Sequence, residues 1–148
     1  VEFLRNQLVY FSIDPGRIIL EITENSLMEN NIRNEKKLEE IREVGCLIAI
    51  DDFGTGFSSL SYLRRFAVDI LKIDQAFIQR VPNDEADSNL IRGIINMSRE
   101  LGIAVIAEGV EKKTQYDFLV ENGCDMAQGF YFSKPVKAEL IHDDMVNI

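Results

Sequence analysis

Residues 47–63 read LIAIDDFGTGFSSLSYL. The apolar start is that of a buried strand, yet it ends in two adjacent carboxylates, Asp51 and Asp52. A loop with glycines at Gly54 and Gly56 follows. Desolvation disfavours a charged carboxylate, and side-by-side carboxylates repel each other. Compensating positive charge is therefore expected beside this pair.

Working outward, short apolar runs alternate with amphipathic ones. RIILEIT (17–23) follows the turn signal Asp14-Pro15-Gly16 and reads as a strand. NEKKLEEIREVG (34–45) carries Leu38, Ile41 and Val44 on one face and ends in glycine, the pattern of a C-capped helix. CLIAIDD is the second strand, and Ser58 can cap a short helix over 58–66. DILKID (69–74) is the third strand, and 85–102 has apolar residues at helical spacing. IAVIAEG (103–109) is the fourth strand, KTQYDFLVENG (113–123) a helix, and MAQGFYF (126–132) the fifth strand. A last helix is expected after Pro135, and one more over about 1–12. The polar stretch 81–88 reads as a surface connection. Strands separated by helices predict an α/β fold with a parallel sheet, whose strands are apolar on both faces.

The polar residues then fall at one edge. The C-terminal ends of the five strands carry Glu21, Thr23 and Glu24; Asp51 and Asp52; Lys72 and Asp74; Glu108 with Glu111 after it; and Gln128. That edge holds the active site in parallel α/β folds and barrels. Oxygen ligands without histidine or cysteine select Mg²⁺ or Mn²⁺. Adjacent aspartates suit two ions about 3.5–4 Å apart, the clamp used in phosphodiester cleavage. Lys72 can then orient or polarise an attacking water. Each residue also has a plainer role. Gly54 and Gly56 permit tight turns. Lys72 closes a salt bridge, Glu111 is a first-turn helix acid, and a lone Glu21 is a solvated loop acid. The Asp-Phe-Gly match to the kinase magnesium motif is accidental, because no glycine-rich loop or HRD segment accompanies it.

Composition sets the bounds. The 148 residues are 46% hydrophobic and 28% charged, enough for one domain with a real core. A net charge of −9 argues against nonspecific DNA binding, though metal ions can still bring in a phosphorylated ligand. Cys46 and Cys124 read as small buried residues in a reducing compartment. The lone histidine, His142, makes a zinc site or an internal Ser-His-Asp triad improbable. No apolar run reaches membrane-spanning length and no signal peptide is evident, so the expected compartment is the cytoplasm, without membrane contact by this segment.

LEITENSLM, AIDDFGTGFSSLSYL, LKID, VIAEGVE and QGFYFSKP occur in that order. Together they resemble the EAL-domain phosphodiesterases of bacterial cyclic di-GMP signalling, from the Pro15-Gly16 turn to the final helix. The resemblance implies a modified (β/α)8 TIM-type barrel that hydrolyses cyclic di-GMP to linear pGpG with Mg²⁺ or Mn²⁺ and a metal-activated water. It implies Glu21, Asp51 and Asp52 as metal ligands, with Glu108 in metal or water activation. Glu24 holds the loop at 53–59, which couples to the metals and to dimerisation. Lys72 contacts the catalytic water, with Asp74 beside it. Glu111 supports the substrate pocket, and Gln128 hydrogen-bonds within the site.

The chain also departs from the pattern. It has no Glu-Ala-Leu tripeptide, and the family's asparagine ligand and substrate-binding arginine are missing. About three strands of the eight are absent by this reading. The expectation is thus a partial barrel of about five C-terminal strand–helix units, inactive alone, from a phosphodiesterase that also carries sensory or GGDEF domains. Open strand edges, or the DFGTG-loop region, would pair it as a homodimer. The alternative is a catalytically silent module that binds cyclic di-GMP or a protein partner.

Overall fold

The computed structural model describes residues 1–24, 26, 31–54, 63 and 66–141. In chain order these form α1 (Glu2–Tyr10), a 3₁₀ turn (Pro15–Arg17), β1 (Ile19–Thr23), α2 (Asn31–Val44), β2 (Leu47–Phe53) and β3 (Ile70–Ile73). Then come α3 (Gln75–Ile78), α4 (Glu85–Leu101), β4 (Ala104–Ala107), α5 (Lys113–Glu121), β5 (Met126–Ala127) and a 3₁₀ turn (Ala138–Leu140). The strands make one sheet in the order β1-β2-β3-β4-β5, every pair parallel. Sheet order follows chain order with no reversal. That is the winding of a (β/α) barrel rather than of a doubly wound sheet, whose order switches direction midway.

Burial follows position in the sheet. All of β3 is buried, whereas β1 at the edge alternates between exposed and half-buried residues. Ile48, Leu71, Ile73, Val105 and Ala107 from the inner strands meet Ile91 and Ile95 of α4 and Phe118 and Leu119 of α5. α4 lies on the core because its apolar residues recur at helical spacing. Asp84 caps its start, accepting from Asp87 N–H at 3.0 Å, and Gly102 ends it at φ +70°. At the other end of the chain α1 leaves Phe3, Val9 and Tyr10 largely exposed.

Two aspartates fix the register of the sheet at its N-terminal edge. Asp69 Oδ2 accepts the Ile48 N–H at 2.9 Å, and Asp125 Oδ2 accepts the Val105 N–H at 2.8 Å. Each carboxylate lies just before its strand and satisfies a donor on the neighbouring strand ahead of the first paired residues, Ala49↔Ile70 and Ile106↔Met126. Without it a buried N–H loses its partner. Asp69→Ala is expected to cost about 2 kcal/mol, the scale of a charge-assisted hydrogen bond to a buried donor. Asp69→Asn should retain part of that. Urea denaturation of the two variants measures the difference.

Several expected elements differ in extent. The fifth strand stops at Ala127, because residues 129–132 turn back over Val110 instead of continuing the ladder. The expected connection at 81–88 already contains the cap and first turn of α4. The short helix α3 was not anticipated. Beyond Pro135 only the 3₁₀ turn is described, and the helix expected over 58–66 lies mostly outside the described residues.

Candidate active site

The C-terminal edge of the sheet gathers the acids around one lysine. Lys72, on the fully buried β3, has a side chain only 5% exposed. Its Nζ lies 2.8 Å from Glu21 Oε1 on β1, 3.0 Å from Asp51 Oδ1 on β2 and 2.9 Å from Glu108 Oε1 after β4. Burial alone would favour the neutral amine. The contacts with Glu108, Glu21 and Asp51 outweigh it and hold the ammonium above the usual lysine range. Lys72 therefore stays charged at neutral pH. This is the positive charge that the aspartate pair requires.

Neighbouring residues of a regular strand point to opposite faces. Asp51 and Asp52 nevertheless both reach the site, because β2 bulges between Ile50 and Phe53 and Asp52 adopts the left-handed conformation, φ +57°. Aspartate and asparagine tolerate that region better than most residues. Burial, the charges of Asp51 and Asp74 and a hydrogen bond with Asp74 push the Asp52 carboxyl up, with Lys72 pulling the other way. Asp74 is itself tied down, since its Oδ1 accepts the Ala76 N–H at 2.7 Å as the N-cap of α3.

A cleft of about 310 Å³ opens beside this cluster, lined in part by Asp52, Asp74, Glu108, Glu111, Gln128 and Phe130. Glu108 thus belongs to both the lysine cluster and the cleft. Glu111 is fixed through its backbone, whose N–H donates to Gln115 Oε1 at 2.8 Å. Gln128 extends the sheet by one bond, its N–H donating to Ala107 O at 2.8 Å. Glu24 is buried, with Oε2 3.4 Å from the Gly54 N–H at the start of the glycine loop. The remainder of that loop lies outside the described residues.

The donor set suits a hard divalent cation. Among the described residues three carboxylates (Glu21, Asp51 and Glu108) meet one ammonium, with Asp52 and Asp74 beside them. At Asp52 the imbalance runs against the carboxylate, since burial first, and then the charges of Asp51 and Asp74, outweigh Lys72 and push it up. The acids converge on Lys72, and among the described residues no three carboxylate, imidazole or thiolate groups form a ready metal cage. In the metal-free chain the ammonium thus does the balancing.

One prediction follows from that imbalance. A carboxyl whose pKa is raised on folding destabilises the fold above its folded pKa, and the penalty disappears as pH falls below the unfolded value. Asp52→Asn keeps the backbone preference and removes the charge. It is expected to stabilise the metal-free chain at pH 7 by about 0.5–1 kcal/mol, the scale of one partly solvated charge contact. The gain should shrink toward pH 4. Thermal denaturation of both chains in chelator across this range measures it.

Sequence reasoning missed three contributors to this region. Phe130 lines the cleft, although the composition of 126–132 reads as a strand. Asp69 and Asp125 support the sheet from its far edge, and an aspartate immediately before an apolar strand was the available signal. Cys46 is buried as expected, whereas Cys124 is only half-buried, with its thiol pushed up to about 11 by desolvation.

A parallel sheet wound in chain order, with acids and a buried lysine at its C-terminal edge, has the winding of a (β/α)-barrel domain. The chain belongs to the EAL domain family, which it matches over residues 1–135. It is 47% identical to the cyclic di-GMP phosphodiesterase NbdA of Pseudomonas aeruginosa, covering 92% of this chain and 17% of that protein. It is 40% identical to MucR of the same species, a bifunctional diguanylate cyclase/cyclic di-GMP phosphodiesterase, over 94% of this chain and 20% of that protein. The MucR phosphodiesterase structure, a cyclic di-GMP complex, superposes with a TM-score of 0.88, covering 93% of this chain and 56% of that one. Klebsiella pneumoniae BlrP1, solved with cyclic di-GMP and manganese or calcium, is 32% identical with a TM-score of 0.85, over 90% of this chain and 34% of that one. The chain therefore spans about a fifth of the length of these curated relatives. Among the described residues no helix is long and apolar enough to cross a membrane.

Proposed function

We propose that the chain is the C-terminal portion of an EAL domain whose whole protein hydrolyses cyclic di-GMP to linear pGpG in bacterial signalling. The observation that carries this reading is the buried Lys72 ammonium gripped by Glu21, Asp51 and Glu108 at the C-terminal edge of the sheet. Among the described residues five strands form the sheet, with β1 and β5 at its edges, and α1 exposes Phe3, Val9 and Tyr10; both support the view that more of the barrel completes the site. On this reading the chain by itself does not turn over. The whole protein works in the cytoplasm beside sensory or GGDEF domains and pairs as a homodimer through the glycine-loop region or the open strand edges.

Glu21, Asp51, Asp52 and Glu108 would hold Mg²⁺ or Mn²⁺. When bound, such ions stabilise charge on phosphoryl oxygens and acidify water. The chain's own groups do the rest. Lys72, charged throughout the neutral range, cannot act as a base. Its three N–H donors face Glu21, Asp51 and Glu108 in the metal-free chain. It would turn one to the attacking water and offset charge at the phosphate once a carboxylate is drawn away by bound ions. Asp74 steadies Asp52. Glu111 and Gln128 line the substrate's cleft. Glu24 fixes the glycine loop through Gly54.

The test is incubation with cyclic di-GMP and Mn²⁺ or Mg²⁺, followed by separation of the products. The purified chain is expected to yield no pGpG. A chain with the preceding strands restored is expected to yield it, and Lys72→Ala to abolish it. Product from the 148-residue chain would overturn the claim that this portion is inactive alone. A restored chain that binds cyclic di-GMP without cleaving it would replace hydrolysis by a sensing role.

A further inference from the structure

Among three successive aromatic residues, one is left without a ring to pack on. Tyr131 stacks on Tyr116 with centroids 5.6 Å apart, and Phe132 meets the same ring edge-on at 5.7 Å. Phe130 precedes them and is 57% exposed, and among the described residues no aromatic ring packs against it. It lines the acid cleft instead. Lys134 Nζ lies 5.9 Å from its centroid, adding positive charge at the mouth of an otherwise acidic site.

The position of Phe130 is fixed by backbone rather than by its own packing. The Val110 N–H donates to Gln128 O at 3.0 Å, the Tyr131 N–H to Val110 O at 2.9 Å and the Phe132 N–H to Gly129 O at 3.1 Å. These bonds pin both flanks of the turn. An exposed ring on a fixed turn, facing a cleft, loses little freedom when a flat partner covers it.

We infer that Phe130 is a stacking platform for a purine base of the nucleotide whose phosphate lies at the acids. This rests on the proposed function, and it deepens it by naming the residue that takes the base. The platform reads the π-face of the base and not its edge, so it contributes affinity without choosing guanine over adenine. Lys134 supports the ring from the cation side and attracts the ligand's phosphates.

The test uses the chain with the preceding strands restored, as native protein and as variants, and two probes, cyclic di-GMP and 5′-GMP, titrated calorimetrically in Ca²⁺. Phe130→Ala is expected to weaken both about tenfold, the scale of losing one base–aromatic stack. Phe130→Trp should restore the affinity, and cyclic di-AMP, where it binds, should lose as much as cyclic di-GMP. Equal affinities for the native chain and Phe130→Ala, or no binding of either probe by the native chain, would overturn the platform. Mn²⁺ binding followed by electron paramagnetic resonance separates this from failure of the proposed function. An unsubstituted strand-restored chain that takes up no Mn²⁺ refutes that reading. One that takes up Mn²⁺, with Phe130→Ala binding the nucleotides as well as it does, refutes the platform alone.

Discussion

Replacing Lys72 by methionine is expected to destabilise the metal-free chain by about 2–3 kcal/mol. Removing one member of a buried charge pair typically costs about 3–5 kcal/mol, because the remaining charge stays desolvated. Here the lower end applies, since Glu21 is 48% exposed and keeps much of its hydration, while Asp51 and Glu108 are 24% and 19% exposed. Methionine fills similar volume, so the loss is electrostatic and not a cavity. Three carboxylates would then face one another, with Asp52 and Asp74 alongside. The variant should gain stability from added salt, which screens their repulsion. It should gain more from Mn²⁺, which supplies the missing charge, than the native chain does. The pH dependence has a definite sign. The folded pKa of Lys72 lies above its ordinary value, so its stabilisation is complete at neutral pH and is lost as pH climbs through that raised value. The native chain should therefore weaken in strong alkali, and Lys72→Met should not share that loss. Urea denaturation in chelator, in salt and in Mn²⁺ distinguishes these outcomes. Equal stability of the two chains in chelator would mean that the carboxylates are already well solvated.

The elements that sequence pattern located well are those whose signal is local. The amphipathic period over 85–102 and the apolar run before Asp51 each determine an element without help from distant residues. The acids at one edge were legible for the same reason: in a parallel sheet every strand end points the same way, so position along each strand is position in the site. What stayed hidden depends on long-range contact. QGFYF has the composition of a strand, yet it turns at Gly129 because Val110 offers backbone bonds that no nearby residue announces. Asp52 was legible as a site residue but its left-handed backbone was not, since the bulge arises from pairing with β3. For Lys72 the plain reading holds and goes further than expected. It closes not one salt bridge but three, and they hold the amine where the acids meet.

Gly129→Ala is expected to have the other large effect, a loss of about 3 kcal/mol or more together with the cleft. A methyl group at Gly129 would overlap the backbone nitrogen and oxygen of Val110. These two atoms form the bonds to Gln128 O and Tyr131 N–H, so the obstacle is rigid main chain and not a side chain that can swing away. Relief requires separating the 128–132 turn from the loop after β4, which breaks both bonds and unseats the ring of Tyr131 from Tyr116. Overpacking a core typically costs about 1–3 kcal/mol, and two lost backbone bonds add to that. Gly109→Ala provides the comparison. Its methyl would meet Gln75 Cβ, an atom fixed to the main chain of α3, at 2.5 Å, and φ +69° adds backbone strain. Relief there, however, shifts the short α3 and leaves the two Val110 bonds in place. It should be the milder of the two. Chemical denaturation ranks them, and the amide exchange of Val110 and Tyr131 identifies the cause. In Gly129→Ala both amides should exchange rapidly while those of β3 remain protected. If Gly129→Ala leaves Val110 protected, the turn tolerates a side chain and the close approach of the two segments does not govern the shape of the cleft.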